Sequence, residues 1–360
     1  MLFRMHRRAL LALTAHALVA ASARAQAGSD GLQFPRDHGA HPAQRTEWWY
    51  LTGSLLTEAQ EPARTWGFQV TFFRSTTGLP LDARSRFAAR ELVFAHVALT
   101  DLAQRRLRHD QRIARSGFGI AQASEADAQV VLRDWSLARS EAGYRAIVAS
   151  DAARFGFELN AATTQPLLLQ GDAGLSRKGP SPEQTSRYYS EPQLAIDGTL
   201  RVDGRAQPVR GRAWLDHEWS DAFMPPQAVG WDWIGMNLDD GSALTAFRLR
   251  RADGTSVYAG GSFRPRGEAS RSFADGAVQF APGRVWQSAA SKTRYPVEWT
   301  VSTPAGTFKV AALLDDQELD SRTSTGSIYW EGLSDLLDAQ GRRVGRGYLE
   351  MTGYAAALKL

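Results

Sequence analysis

The 360-residue sequence contains no cysteine, and it also lacks several motifs that mark common enzyme classes. Without cysteine, thiol catalysis is excluded and no disulfide can form, so the fold must be stabilised by buried apolar side chains. The chain has no G-x-S-x-G nucleophile elbow, no Walker loop and no G-x-G-x-x-G dinucleotide fingerprint. These absences argue against nucleotide-dependent chemistry and against an α/β-type serine hydrolase.

The first 25 residues have the pattern of an export signal. Arg4, Arg7 and Arg8 precede a short apolar run, and Ala23 and Ala25 form an A-x-A cleavage site. We therefore expect cleavage after Ala25 and a periplasmic or secreted protein. No second apolar stretch is long enough to span a bilayer, so we expect no transmembrane segment in the mature chain.

The excess of positive charge disappears once this segment is set aside. The signal peptide carries four arginines and no acid, so the net charge of +4 for the full chain becomes zero for the mature chain. A neutral protein gives no reason to expect nucleic acid or an anionic membrane surface as a partner.

What the sequence does contain is a period of two. Short apolar and β-branched runs such as TWGFQVTFFR and ELVFAHVALTD alternate with turn signals, among them the Asp-Gly pairs at 197–198, 203–204, 240–241, 253–254 and 275–276. The pattern predicts an all-β fold of hairpins that close into barrels or sandwiches. Only LLDDQELDSR near residue 313 and EGLSDLLDAQ near residue 331 suggest short turns of helix.

A weak internal repeat divides the mature chain. EWWYLTGSL and WDWIGMNL are both Trp-rich runs, and each leads a second run that ends in arginine. Pro225 and Pro226 disfavour ladder pairing between the two halves. We predict a signal peptide at 1–25, an N-terminal domain at 31–225 and a C-terminal domain at 226–360.

The most unusual stretch is RAWLDHEWSD, residues 212–221. In a strand, alternation places His217 and Trp219 on one face and Asp216 and Glu218 on the other. A core histidine bonded to a carbonyl and solvated or arginine-paired acids would explain these residues structurally. The flanking tryptophans favour a drier place, where buried charge indicates a function.

Other tryptophans and tyrosines also suggest an apolar site. Asp232 lies between Trp231 and Trp233, so its carboxyl either has a raised pKa or pairs with an arginine. Trp49, Tyr189, Trp231 and Trp233 are candidate ligand contacts, although core packing or a structural turn explains them as well.

Metal ligands are poorly represented. His38 and His41 lie close together in sequence, but no H-x-x-x-H pattern or carboxylate accompanies them at ligand spacing. We predict no metal and no cofactor.

Seven motifs, spread over residues 38–354 in order, resemble the carotenoid 1,2-hydratase family, with its AttH-like secreted branch as the nearest part. They are HPAQRTEWWYLTGSL (41–55), GLSRKG (174–179), RYYSEPQL (187–194), GRAWLDHEWS (211–220), GWDWIGMNL (230–238), YWEG (329–332) and GRGYLEMTGY (345–354). The resemblance implies two tandem lipocalin-like β-barrel domains that handle large apolar molecules without a cofactor.

The resemblance also suggests site residues. In the hydratases a histidine and a tryptophan two residues later are important, which corresponds to His217 and Trp219. A nearby aspartate is the proton donor; Asp232 is our choice, with Asp216 or Glu218 as substitutes. We expect Glu47 and Tyr189 to shape the pocket.

Three functions remain open. A cofactor-free hydratase or isomerase would protonate a carbon–carbon double bond, using Asp232, Trp219 and His217 as acid, cation stabiliser and water-orienting base. A carrier would bind a lipid or hydrophobic metabolite and serve an ABC-type export permease. A hydrolase rests on the family label alone, with Ser190 or Ser220 as the residues to test.

Overall fold

The N-terminal part of the described chain forms one large antiparallel sheet. A computed structural model describes residues 31–57, 63–79, 85 and 87–358, so the predicted signal peptide lies outside the described residues. In the described residues, thirteen strands pair in the order β4-β3-β2-β1-β13-β12-β9-β8-β7-β6-β5, with β10 and β11 added to β12. The strands are β1 (Thr46–Thr57), β2 (Arg64–Thr76), β3 (Glu91–Asp101), β4 (Arg106–Arg115), β5 (Ala121–Ala123), β6 (Gln129–Leu132), β7 (Trp135–Ser140), β8 (Gly143–Ser150), β9 (Phe155–Ala162), β10 (Leu168–Leu169), β11 (Leu175–Arg177), β12 (Thr185–Val202) and β13 (Arg205–Ser220).

A second sheet follows in the rest of the chain. Ten strands take part, nine of them in the order β17-β16-β15-β14-β25-β24-β22-β21-β18, with β23 added to β24, while β19 and β20 form a separate hairpin. The strands are β14 (Gly230–Leu238), β15 (Ala243–Arg250), β16 (Ser256–Arg264), β17 (Arg271–Ser272), β18 (Gln279–Pro282), β19 (Val285–Gln287), β20 (Arg294–Pro296), β21 (Glu298–Thr303), β22 (Gly306–Ala312), β23 (Glu318–Ser321), β24 (Ser327–Leu337) and β25 (Arg343–Met351).

The all-β prediction is confirmed, and the two sheets form a lipocalin-like fold. Residues Leu32–Leu360 form one compact unit that contains both sheets. The domain boundary near residue 225 stays a prediction. Among the described residues, no helix has the length and apolar character needed to cross a bilayer.

The two suggested turns of helix were wrong. The segment near residue 331 is strand β24, and the segment near residue 313 leads into β23; the regular helix found in the described part of the chain is one 3₁₀ turn, Arg36–His38. Acids and leucines in EGLSDLLDAQ satisfy a helical spacing, but β24 pairs with both β22 and β25. Tertiary pairing therefore overrides the local pattern.

The hairpin between β12 and β13 fixes the position of the most unusual stretch. Asp203 and Gly204 have φ values of 50° and 81°, and Val202 pairs with Arg205 across a two-residue loop. Positive φ at both loop positions matches the twist of the flanking strands, which is why Asp-Gly is favoured here. The hairpin and a β-bulge between Glu191 and Leu194, which shifts the pairing by one residue, together set the register that places Tyr189 opposite His217 and Ser190 opposite Asp216.

Strand β13 is covered on both faces. Every residue from Ala213 to Ser220 is buried, whereas a half-exposed strand such as β9 alternates buried and exposed positions. One face packs in the core of the first sheet with Leu215, and the other contacts the second sheet through Trp214. The strand therefore separates two buried environments.

Candidate functional site

The predicted alternation along β13 is confirmed, and it sorts the candidate residues into two places. His217 and Trp219 point into the core of the first sheet. Asp216 and Glu218 point the other way, into a cavity lined by strands of both sheets. The residues predicted to act together are thus divided by the strand that carries them.

On the core side, His217 belongs to an ionic network. Its Nε2 lies 2.9 Å from Glu47 Oε1, and both side chains are fully buried. His41 Nδ1 lies 2.6 Å from the same oxygen, and Arg74 Nε donates to the other carboxylate oxygen at 2.8 Å. Burial raises the pKa of Glu47, but hydrogen bonds from His217 and His41 outweigh it and hold that pKa well below its usual range.

Aromatic rings complete this network. His217 stacks on Trp49 with ring centroids 4.6 Å apart, and Trp219 stacks on His41 at 3.7 Å. The Tyr189 hydroxyl bonds His38 Nδ1 at 2.7 Å. Burial lowers the pKa of His217, so the imidazole is neutral and shares its Nε2 proton with Glu47. Glu47, Trp49 and Tyr189, predicted to contact ligand, lie in this core and not in the cavity.

The same network contains the donor set of a metal site. One atom each from His41, Glu47 and His217 lies within 4.8 Å of the others. The expectation that no carboxylate accompanies these histidines was wrong, because Glu47 reaches His41 from the start of β1. However, the Arg74 guanidinium contacts Glu47, and the short nitrogen–oxygen distances are those of hydrogen bonds. In this structure the contacts among these side chains are those of an ion-pair network.

Asp232 does not lie where the predicted mechanism needs it. Arg248 Nε donates to Asp232 Oδ2 at 2.7 Å, Arg250 Nε lies 3.6 Å from that oxygen, and Tyr354 donates to Oδ1 at 2.9 Å. Of the two predicted alternatives for this carboxyl, pairing with arginine is confirmed. The expectation that Asp232 and His217 share a chamber was wrong, because each is held in the core of a different sheet.

The cavity lies between the two sheets and has a volume of about 130 Å³. Trp231 and Trp233, predicted to contact ligand, line it. The accessible surface of its wall is mostly apolar, although polar and ionisable side chains also line it. The other lining residues include Trp48, Tyr50, Phe73, Phe94, His96, Lys178, Tyr188, Asp216, Glu218, Phe223, Phe247, Tyr329, Glu331 and Glu350.

Both side-chain oxygens of Asp216 accept hydrogen bonds. Ser190 and Trp214 donate to Oδ1 at 2.5 and 2.7 Å, and Tyr188 donates to Oδ2 at 2.9 Å. Burial nevertheless raises the pKa of Asp216 to about 7. The three donors hold the group in place, so Asp216 positions the cavity wall.

Glu218 pairs with a buried lysine. Lys178 Nζ lies 2.7 Å from Glu218 Oε1, and Ser186 also donates to that oxygen. The ammonium is surrounded by three rings, with the closest centroid, that of Phe247, at 4.3 Å. Burial raises the pKa of Glu218 despite the lysine.

Two further acids, Glu331 and Glu350, complete the cavity. They face each other directly across the β24–β25 ladder. Gln69 donates to Glu331 Oε2 at 2.7 Å, but Glu331 Oε1 is buried and has no hydrogen bond of good geometry within the described residues. Glu350 accepts one hydrogen bond, from Trp231 Nε1 at 3.0 Å.

Burial sets the protonation of this pair. Burial, and then the neighbouring Glu350, raise the pKa of Glu331 well above its usual range, and the nearby Tyr50 hydroxyl lowers it only slightly. Burial raises the pKa of Glu350 to about 7. Like charges directly opposite each other on a ladder are unfavourable, so at least one of the two carboxyls keeps its proton near neutrality.

The sequence interpretation missed both glutamates. Each lies in a recognised motif, YWEG or GRGYLEMTGY, yet neither acid was singled out. The available signal was alternation: in a strand, Glu331 shares a face with Tyr329 and Leu333, which is an apolar setting for an acid. The suggestion of a helical turn near residue 331 hid that signal.

Comparison with known proteins identifies the family. The model of the AttH-like family matches residues 25–354. The chain belongs to the AttH-like family. A crystal structure from Nitrosomonas europaea assigned to AttH is 43% identical, covers 91% of this chain and 98% of its own, and superposes with a TM-score of 0.83.

Kievitone hydratases are more distant relatives. The enzyme of Fusarium solani subsp. phaseoli is 23% identical over 180 residues, which is 48% of this AttH-like chain and 49% of that protein, so the chain spans about half the length of this curated relative. The crystal structure of kievitone hydratase from Nectria haematococca has a TM-score of 0.70 at 14% identity, covering 91% of this chain and 94% of its own. That second likeness shows a shared fold.

Proposed function

We propose that this AttH-like protein is a cofactor-free hydratase or isomerase that protonates a carbon–carbon double bond of an apolar substrate inside the cavity. The observation that carries the proposal is Glu331, a buried carboxyl in an aromatic chamber, whose Oε1 accepts no hydrogen bond of good geometry within the described residues and has the Tyr50 hydroxyl nearby. The similarity to a protein named kievitone hydratase supports the reaction class. The substrate is an apolar molecule whose identity the proposal leaves open.

Glu331 acts as the acid in this proposal. An isolated double bond is a weak base, so the donor must hold its proton at neutral pH and release it toward carbon. Burial keeps Glu331 protonated, and Gln69 orients the carboxyl through its other oxygen. The O–H bond of Glu331 breaks as a new C–H bond forms, leaving a carbocation on the substrate.

Aromatic rings stabilise that cation. Trp231, Trp233 and Tyr50 line the same cavity, and Tyr50 packs edge-to-face on Trp233 at 5.4 Å. A desolvated cation over an indole face gains about 2 kcal/mol or more. The roles assigned from sequence to Trp219 and Asp232 thus pass to Trp231, Trp233 and Glu331 in the cavity.

Glu350 acts as the base. Its pKa of about 7 leaves a substantial carboxylate fraction, and a single hydrogen bond leaves acceptor capacity for water. As the water oxygen bonds to the cation, Glu350 takes a water proton and the alcohol forms. Proton transfer from Glu350 back to its ladder neighbour Glu331 restores both groups. An isomerase would instead lose a substrate proton to Glu350.

The cavity volume limits how much of a substrate molecule can be buried. About 130 Å³ is close to cavities that hold one benzene ring, and smaller than typical sites for drug-sized ligands. The reacting end of the substrate therefore enters the cavity, and a longer molecule extends through its mouth.

A carrier is the alternative, since an aromatic cavity also suits a bound lipid or hydrophobic metabolite that is then passed to an ABC-type permease.

A hydrolase has less support. Ser190 Oγ donates to Asp216 and Ser220 Oγ to the Thr185 carbonyl. His96 Nε2 lies 2.9 Å from Ser324 Oγ, but burial lowers the pKa of His96 to about 3 and makes it a weak base.

Export is part of the proposal. The sequence of residues 1–25 supports a signal peptide cleaved after Ala25, with a periplasmic or secreted mature protein. Mass spectrometry of the protein from the periplasmic fraction would test this: a mature N-terminus at Gln26 is expected, and an intact Met1 would contradict it.

One experiment separates enzyme from carrier. Mature protein is incubated in H₂¹⁸O with polyenes and prenylated phenols, and products are examined by mass spectrometry. A hydratase incorporates one ¹⁸O atom into the product alcohol, whereas an isomerase run in D₂O incorporates deuterium at carbon. Tight binding of these compounds with neither label transferred would favour the carrier.

A further inference from the structure

We propose that one end of the first sheet docks on an anionic lipid bilayer. Four large apolar side chains with high exposure lie where β3 begins and β4 ends, including Phe87 at 71% and Phe118 at 52% exposed. We call this group the apolar patch; its members are Phe87, Ile113, Phe118 and Ile120. Soluble proteins rarely expose such clusters without a partner.

The patch is held together by contacts among its own side chains. The rings of Phe87 and Phe118 stack with centroids 5.9 Å apart. The Arg115 guanidinium lies over both rings, 4.1 Å from the Phe118 centroid and 5.3 Å from that of Phe87. Aromatic rings interleaved with arginine are typical of groups that enter the headgroup region of a bilayer.

Charge around the patch is positive. Arg115 lies in it, and exposed Arg133 borders it through its backbone N–H, which donates to the Ile120 carbonyl at 2.7 Å. The nearby acids Glu91 and Asp134 are already paired with other arginines. The patch therefore complements anionic headgroups, although the mature chain as a whole is neutral.

An apolar row connects the patch to the cavity. Trp48, Phe73, Phe94 and Ile113 are successive partners across β1, β2, β3 and β4. The first three line the cavity, and Phe73 stacks on Phe94 at 4.7 Å. Three strand spacings make the row about 14 Å long. This step rests on the proposed function: an apolar substrate dissolved in the bilayer would reach the cavity along the row.

Vesicle binding tests the docking. Mature protein is sedimented with vesicles of phosphatidylcholine alone or with 30% phosphatidylglycerol. We expect binding to the anionic vesicles, a loss of at least tenfold in affinity for Phe87→Ser with Phe118→Ser, and a loss of about fivefold for Arg115→Gln. The control pair Leu175→Ser with Val285→Ser removes two exposed apolar groups elsewhere and should bind as the wild type does.

A labelled variant gives an independent measurement. Since the chain has no cysteine, Phe118→Cys takes a single environment-sensitive fluorophore. Its emission should shift to the blue with anionic vesicles, while the same label at Val285→Cys should not respond. Wild-type protein that stays in the supernatant, or a double-serine variant that binds equally well, would overturn the proposal. Neither result depends on turnover, so the hydratase proposal stands or fails separately.

Discussion

Glu331 and Glu350 lie opposite each other on adjacent strands, and both carboxyls reach the same aromatic cavity. Burial raises the pKa of each group, but by different amounts. A pair of acids whose pKa values are separated in this way provides a proton donor and a proton acceptor at one pH.

Glu331→Gln should abolish most turnover. The amide preserves the size of the side chain but cannot donate a proton to carbon, so kcat should fall by about 10²–10⁴-fold. Affinity for an apolar ligand should stay within about threefold, because the cavity wall is unchanged. The matched control is the exposed Glu158→Gln, which should retain full activity. Equal loss of activity and ligand affinity would argue against a role for Glu331 in the chemical step.

The pH profile should be bell-shaped. Turnover requires Glu331 protonated and Glu350 ionised, so kcat/KM should rise as pH approaches about 7 and fall at higher pH when Glu331 loses its proton. The two acids titrate as a coupled pair, so the apparent values belong to both. In Glu350→Gln the rise near pH 7 should disappear. A profile that is flat from pH 5 to 9 would contradict the assignment.

Asp216 should make the wild-type protein less stable as the pH rises. Its pKa in the folded state is about 7, above the unfolded value of about 3.9, so its contribution is complete below pH 4 and is lost as pH rises through 7. Each unit of difference corresponds to about 1.4 kcal/mol. Asp216→Asn should therefore lose less stability than the wild type between pH 4.5 and pH 8.

Thermal unfolding across this pH range measures the difference. Burial lowers the pKa of His38 and His96 to about 3, and these groups add stability as pH rises toward 6.5. They act equally in wild type and variant, so the comparison reports Asp216 together with its electrostatic coupling to Glu218 and Glu350. The exposed Asp239→Asn serves as the control. Parallel curves for Asp216→Asn and wild type would show that burial does not perturb this carboxyl.

Asp232→Asn should lower the free energy of unfolding and leave turnover almost unchanged. Removing the charge leaves Arg248 and Arg250 without their buried counter-ion, which costs about 3–5 kcal/mol of unfolding free energy. Urea unfolding measures that loss. Turnover per folded molecule should remain within about threefold of wild type, and a selective loss of kcat in a stable variant would restore Asp232 as the proton donor.

Alternation predicted correctly which side chains of β13 lie together, because a strand places successive residues on opposite faces. It did not predict which face borders the cavity. Both faces of residues 213–220 are buried, so apolar neighbours surround His217 and Asp216 alike. Only the packing of the second sheet against the first distinguishes a cavity from a core.

The proton donor was hard to identify among the acids for a similar reason. Asp232 between two tryptophans looks like a carboxyl in a dry pocket, yet Arg248 and Arg250 reach it from the neighbouring strand. Glu331 and Glu350 are 19 positions apart in the sequence, and the β24–β25 hairpin brings them together. Such partners depend on register, which the spacing of residues along one strand does not contain.

The two-residue loop at Asp203 and Gly204 has a consequence for how relatives of this protein can diverge. A slip of one residue in β13 would exchange the occupants of its two sides, sending an imidazole into the cavity and Asp216 toward Glu47. Evolution of new substrate preference should therefore proceed by swapping side chains at fixed positions, while the length of this hairpin stays constant.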